Sequence, residues 1–60
     1  MKITYIDNSG AANWYDVNGD VYGVSEEGDV LDCDGVKYPE EWLCQNWGLA
    51  DKLKETALSA

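Results

Sequence analysis

The chain contains no histidine and no arginine, and it has a single proline. Without histidine there is no imidazole to serve as a general base or to complete a Ser/His or Cys/His pair, and without arginine there is no bidentate phosphate clamp. Cations of any kind are scarce: Lys2, Lys37, Lys52 and Lys54 stand against twelve Asp and Glu, for a formal net charge of −8. A surface of that sign repels nucleic acid. Long apolar runs are also missing, so no segment reaches the length that spans a bilayer, and the stretch from Met1 to Asp7 meets an acid before an apolar run of signal-peptide length develops. A cytoplasmic protein is expected. Sixty residues leave room for a single domain, 1–60, that buries about 60% of its unfolded surface, and for no two-lobed cleft. With 45% apolar residues the chain is nevertheless too hydrophobic for a disordered acidic tail. A folded, non-catalytic protein without a cofactor is expected.

Cysteine is nearly absent too. Cys33 and Cys44 match no metal-ligand spacing, and no histidine or further cysteine completes a tetrahedral zinc site. Two buried thiols acting as small hydrophobes are expected, with a disulfide staple as the alternative.

Three glycine dipeptides, Asn18-Gly19, Glu27-Gly28 and Asp34-Gly35, separate short runs rich in Val and Tyr, the rhythm of a β-meander. Treated as two-residue hairpins, they pair Val17 with Asp20 and Tyr15 with Tyr22, then Val24 with Leu31 and Tyr22 with Cys33, then Cys33 with Val36 and Leu31 with Tyr38. Period-two alternation puts Tyr15, Val17, Tyr22, Val24, Leu31, Cys33, Val36 and Tyr38 on one apolar face. The opposite face receives Trp14, Asp16, Val21, Gly23, Ser25, Val30, Asp32 and Lys37, with Asp32 across from Lys37. Strands are predicted near 2–7, 13–17, 20–25, 29–33 and 36–38, with a loop over 8–12. From Pro39 a helix is predicted to about residue 58, since Pro39-Glu40-Glu41 suits a first helical turn. Trp42, Leu43, Trp47, Leu49, Ala50, Leu53, Ala57 and Leu58 then follow at the spacing of one buried stripe. Gly48 predicts a kink, or two helical pieces with a break near it. The fold class is α+β, a small antiparallel meander packed against a C-terminal helix.

The charge is distributed unevenly. Residues 1–15 and 42–60 each sum to zero, so the whole −8 lies between residues 16 and 41. There Asp16, Asp20, Glu26, Glu27, Asp29, Asp32, Asp34, Glu40 and Glu41 face the single base Lys37. Acids suit hairpin turns and guard sheet edges, but lysine guards edges equally well, so the one-sided sign points to a basic partner. Asp16, Asn18, Asp20 and Glu27 partly match the ligand spacing of a calcium loop. The turn position that requires glycine is Val21, however, and the flanks read as strands, so an acidic hairpin is expected and no metal site. The adjacent pairs Glu26/Glu27 and Glu40/Glu41 point in different directions and suit solvation better than acid–base work. Trp14, opposite Gly23, is expected to lie over the glycine; the alternative is an apolar interface patch of Trp14, Val21 and Val30 ringed by acids.

Small size, missing catalytic residues and a concentrated acidic surface resemble the small inhibitors that bacteriophages make against host defence, the anti-CRISPR and anti-restriction proteins. The resemblance is one of class over the whole chain and carries no shared motif. It implies stoichiometric binding to a basic, nucleic-acid-binding surface of a host protein, with the nine carboxylates standing where phosphates would lie and Trp14 as an apolar anchor. Same-face residues on a strand repeat at about 6.6 Å, roughly two steps of the 3.4 Å charge spacing of a DNA strand. The other classes left open are a general interaction module using Trp14 and a homodimeric accessory protein; the oligomeric state is not fixed by the sequence.

Overall fold

A computed structural model describes residues 2–59. Four strands, β1 (Ile3–Ser9), β2 (Ala12–Val17), β3 (Asp20–Ser25) and β4 (Val30–Leu31), form an antiparallel sheet in the order β1-β2-β3-β4, followed by α1 (Glu40–Gln45) and α2 (Trp47–Leu58). The fold is therefore the expected α+β meander with helical structure at its C-terminal end. β1 extends to Ser9, beyond the predicted strand, and pairs with β2. Two tight turns set the first three strands. Gly10 and Ala11 have φ 61° and 60°, and Asn18 and Gly19 have φ 53° and 92°. Two successive positive φ values define the type I′ hairpin turn, whose twist matches that of the strands it joins. The Asn18-Gly19 turn gives the predicted register, Val17 opposite Asp20 and Tyr15 opposite Tyr22.

Ala11 is the ill-suited member of these turns, because an L side chain in the left-handed region costs about 1–2 kcal/mol. Ala11→Gly is expected to stabilise the fold by about 1 kcal/mol, raising the melting temperature of a domain this small by roughly 4–8 °C. Thermal melting followed by circular dichroism checks this, and a fall in melting temperature would contradict it.

The next two turns differ from expectation. Each has three residues where two were predicted. Gly28 N–H donates to the Ser25 carbonyl at 2.9 Å and Ser25 N–H to the Asp29 carbonyl at 2.9 Å, with Gly28 at φ 89°. Around Cys33-Asp34-Gly35 the pattern repeats: Gly35 N–H donates to the Asp32 carbonyl at 3.0 Å and Asp32 N–H to the Val36 carbonyl at 2.9 Å, with Gly35 at φ 83°. These are turns closed by a left-handed glycine, the three-residue hairpin loop. One extra loop residue shifts the register by one and exchanges the faces of the strand that follows. Val24 therefore opposes Val30, and Gly23 opposes Leu31. Val30, predicted outward, is buried at 2% exposure, while Leu31, predicted inward, belongs to the outer face. Cys33 and Val36 leave the apolar face for the surface, and the predicted strand 36–38 is reduced to one bridge between Leu31 and Lys37. Lys37 reaches Asp29 at 3.4 Å rather than the predicted Asp32.

The core is formed by Tyr15, Val17, Val24 and Val30 from one face of the sheet and by Ala50 and Leu53 from α2. Around it pack Ile3, Tyr22, Tyr38, Trp42, Leu43, Leu49 and Ala57. The helical break falls at Asn46, two residues before Gly48. Asn46 presents both its backbone N–H (2.9 Å) and its side-chain amide (3.0 Å) to the Trp42 carbonyl, ending α1, and its own carbonyl accepts from Ala50 N–H to begin α2. A short polar side chain competes for backbone groups in this way, and glycine does not. Leu49, Ala50, Leu53 and Ala57 keep the core side of α2, and Trp47 and Leu58 fall outside that stripe at 100° per residue. Trp47 and Leu58, predicted as core, are 69% and 87% exposed. The expectation of buried thiols also fails: Cys33 lies in a turn and Cys44 in α1, and both are free and exposed.

Candidate partner-binding surface

The meander decides where the nine acids of the 16–41 segment lie. Only Asp16 and Asp20 sit within strands; Glu40 and Glu41 open α1, and the rest occupy turns and connections. The even strand spacing expected for a phosphate mimic is not realised. Instead the acids of the sheet divide between its two ends. Glu26, Glu27 and Asp29 flank the turn at one end of β3. Asp20 lies at the other end, and the loop containing Asp32 and Asp34 returns there. Six residues of β3 separate the two groups by about 17 Å. Asp16 and Asp20, candidate calcium ligands by spacing alone, lie on opposite faces because Asp16 pairs with Val21 and Asp20 with Val17.

Several carboxylates are already engaged. Asp32 Oδ1 accepts the backbone N–H of Asp34 at 2.8 Å and of Val36 at 3.0 Å, so this side chain builds the loop that displays Asp34. Asp29 holds Lys37. Asp20, Glu26, Glu27, Asp34, Glu40 and Glu41 are exposed. Among the described residues no charged side chain is buried.

At the Asp20 end the carboxylates adjoin an aromatic cluster. Tyr38 stacks on Trp42 with ring centroids 3.7 Å apart and an interplanar angle of 14°, and Tyr22 lies 6.0 Å from Tyr38 and 6.1 Å from Trp42. Burial raises the phenol pKa of Tyr22, and the Asp20 charge adds to it. Burial likewise raises that of Tyr38, followed by Tyr22, Asp32, Cys33 and Asp20. Tyr15 is raised by burial and then by Tyr5, whose ring meets it edge-on at 5.8 Å, and its hydroxyl is buried without a hydrogen-bond partner. A phenol whose folded pKa lies above its ordinary value of 10.0 stabilises the fold while neutral. That contribution is complete below pH 10 and is lost as pH rises through the folded values. Alkaline unfolding is therefore expected to begin above pH 10 and to coincide with tyrosinate absorbance at 295 nm. Tyrosine ionisation that is complete before ellipticity changes would contradict it.

Trp14 is half-buried and lies over Gly23: a Cβ built on that glycine would meet the Trp14 ring at 2.7 Å. Its indole N–H donates to the Ser9 carbonyl at 3.0 Å, which fixes the ring flat against the sheet. The tryptophan thus takes the shielding position expected for it. The alternative patch loses Val30 to the core and gains Leu31.

Two surface hollows lie on the helical side. One, of about 470 Å³, is lined by Tyr5, Tyr15, Lys52, Glu55, Thr56 and Ser59; the other, of about 250 Å³, lies between β3 and the end of α2 and includes Glu26 and Lys54. Neither gathers the acidic residues. Among the described residues no three of His, Cys, Asp and Glu come together as a metal site, and no helix is long and apolar enough to cross a membrane. No protein-family model, no curated protein and no solved structure matches the chain.

Proposed function

We propose that this protein is a non-catalytic acidic inhibitor, acting in the cytoplasm of a host cell, that occupies a lysine- and arginine-rich nucleic-acid-binding surface of a host defence protein. The observation that carries this reading is the charge map: the entire net charge of −8 arises between Asp16 and Glu41, and Asp20, Glu26, Glu27, Asp34, Glu40 and Glu41 stand exposed there. Carboxylates accept two parallel N–H groups of a guanidinium as phosphates do, and a one-signed surface accelerates encounter with a groove of the opposite sign. The Asp20 end adds a second attraction, since an arginine paired with a carboxylate there can lie against the edge of the Tyr22–Tyr38–Trp42 cluster. Asp32 and Asp29 contribute charge while serving the fold, and Trp14 lies away from both acidic ends.

The test is titration of the protein into DNA-cleavage assays of RNA-guided effector nucleases and of restriction endonucleases. Inhibition that saturates near one protein per enzyme and is relieved by excess substrate DNA is expected. Full activity across the panel at tenfold excess would count against the proposal.

A further inference from the structure

The helices cover one face of the sheet only. Tyr15, Val17, Val24 and Val30 point to that side, while Ala12, two residues before Trp14, is buried on the other, where among the described residues no helix packs. Read across the strands by register, the uncovered face carries the row Asp7, Trp14, Gly23, Leu31 and Lys37. One end of the row is negative, the other positive, the flanking positions are apolar and the centre has no side chain. Val21, 38% exposed, extends the apolar strip on β3.

We infer that this face binds a second copy of the same chain, sheet against sheet, about a two-fold axis running along β3 at Gly23. Such an axis keeps the row in place and reverses its order. Asp7 then faces the partner's Lys37 and Lys37 faces the partner's Asp7, while the apolar middles meet. Self-complementarity of this kind is what a two-fold interface requires. Because the axis runs parallel to the strands, the two sheets pack in the aligned arrangement of a β-sandwich.

Two further acids share this face: Asp16, opposite Val21, and Asp29, opposite Ser25 and holding Lys37. The axis sets Asp16 against the Cys33 level of the second copy and Asp29 against its Ala12 level, so neither meets a like charge. The other acids of the 16–41 segment lie in turns, at the foot of β3 or on α1, outside the row. Lys37, whose side chain is 67% exposed, retains donors for a second carboxylate beside Asp29. The outer columns stand about 19 Å apart and the strands run about 17 Å, so each copy presents roughly 320 Å², below the standard size of specific interfaces, and a weak, micromolar dimer is expected.

Sedimentation equilibrium of the full chain from about 1 μM to 1 mM measures the dimer. Its mass is expected to rise from 6.7 kDa to twice that value over this range. Lys37→Asp and Asp7→Lys, each checked for an intact fold by thermal melting, are expected to weaken association at least tenfold, and the double exchange Asp7→Lys with Lys37→Asp to restore it to within about threefold. A monomer throughout, single variants that dimerise like the parent, or a double exchange as weak as the singles would overturn the inference. These readings need no host partner, so they stand or fall apart from the inhibitor proposal.

Discussion

Val30→Asp is expected to abolish the folded state, whereas Leu31→Asp is expected to leave it intact. Val30 is 2% exposed, opposite Val24 and within the cluster that includes Leu53, itself 0% exposed. An ionised carboxylate placed there has no cation to meet, and its burial costs several kcal/mol. The whole stability of a domain this size is roughly 3–9 kcal/mol, so one such substitution removes most or all of it. Leu31, one residue on, belongs to the face without helices, and an acid there is expected to cost no more than about 1 kcal/mol. Far-ultraviolet circular dichroism with thermal melting separates the two. A folded Val30→Asp beside an unfolded Leu31→Asp would show that the turn at Glu26-Glu27-Gly28 has two residues and not three, and equal losses would contradict the assignment of Val30 alone to the core.

The second large effect concerns association and leaves the fold alone. Reversing Glu26 and Glu27 to Lys at one end of the sheet, or Asp20 and Asp34 to Lys at the other, changes the net charge from −8 to −4 in either case. These four residues are exposed and none holds a side-chain hydrogen bond or an ion pair among the described residues. Asp32 is unsuitable for reversal, because its carboxylate carries the loop. Each reversed pair is expected to lower the association rate with an inhibited nuclease at least tenfold, and all four together to lower it further, with the melting temperature unchanged or raised. Stopped-flow association on the parent and the three variants measures this. A loss confined to one pair would assign the contact to that end of the sheet.

How far the sequence carries the fold depends on the chemistry of each turn. Asn18-Gly19 is legible because both positions tolerate positive φ, and the register it imposes on Tyr15, Val17, Tyr22 and Val24 is the register observed. Glu26-Glu27-Gly28 and Cys33-Asp34-Gly35 each contain a glycine that serves a two-residue or a three-residue loop equally well, and the difference of one residue decides whether Val30 or Leu31 enters the core. The longer loops win because they bury Val30 and let Ser25 and Asp32 supply side-chain acceptors, to Asp29 N–H at 3.1 Å in the first and to Asp34 and Val36 in the second. Gly10-Ala11 is hidden for the opposite reason, since alanine gives no sign of a left-handed turn. In the helical part, Asn46 outweighs Gly48 through hydrogen bonds that no propensity scale weighs. Trp47, first residue of α2, lies off the face that carries Leu49, Ala50, Leu53 and Ala57 and is turned to solvent. At the surface, the sign and extent of the charge were legible residue by residue. Its division into two ends was not, since that depends on how β3 and β4 fold back.

Competition with duplex DNA tests the functional proposal most directly. With a nuclease that the protein inhibits, the association rate is measured at rising concentrations of non-cleavable duplex and at salt from about 50 mM to 500 mM. The proposal predicts that the duplex displaces the protein competitively, with a rate that falls steeply as salt rises. A ternary complex of nuclease, duplex and protein, or a rate indifferent to salt, would contradict it.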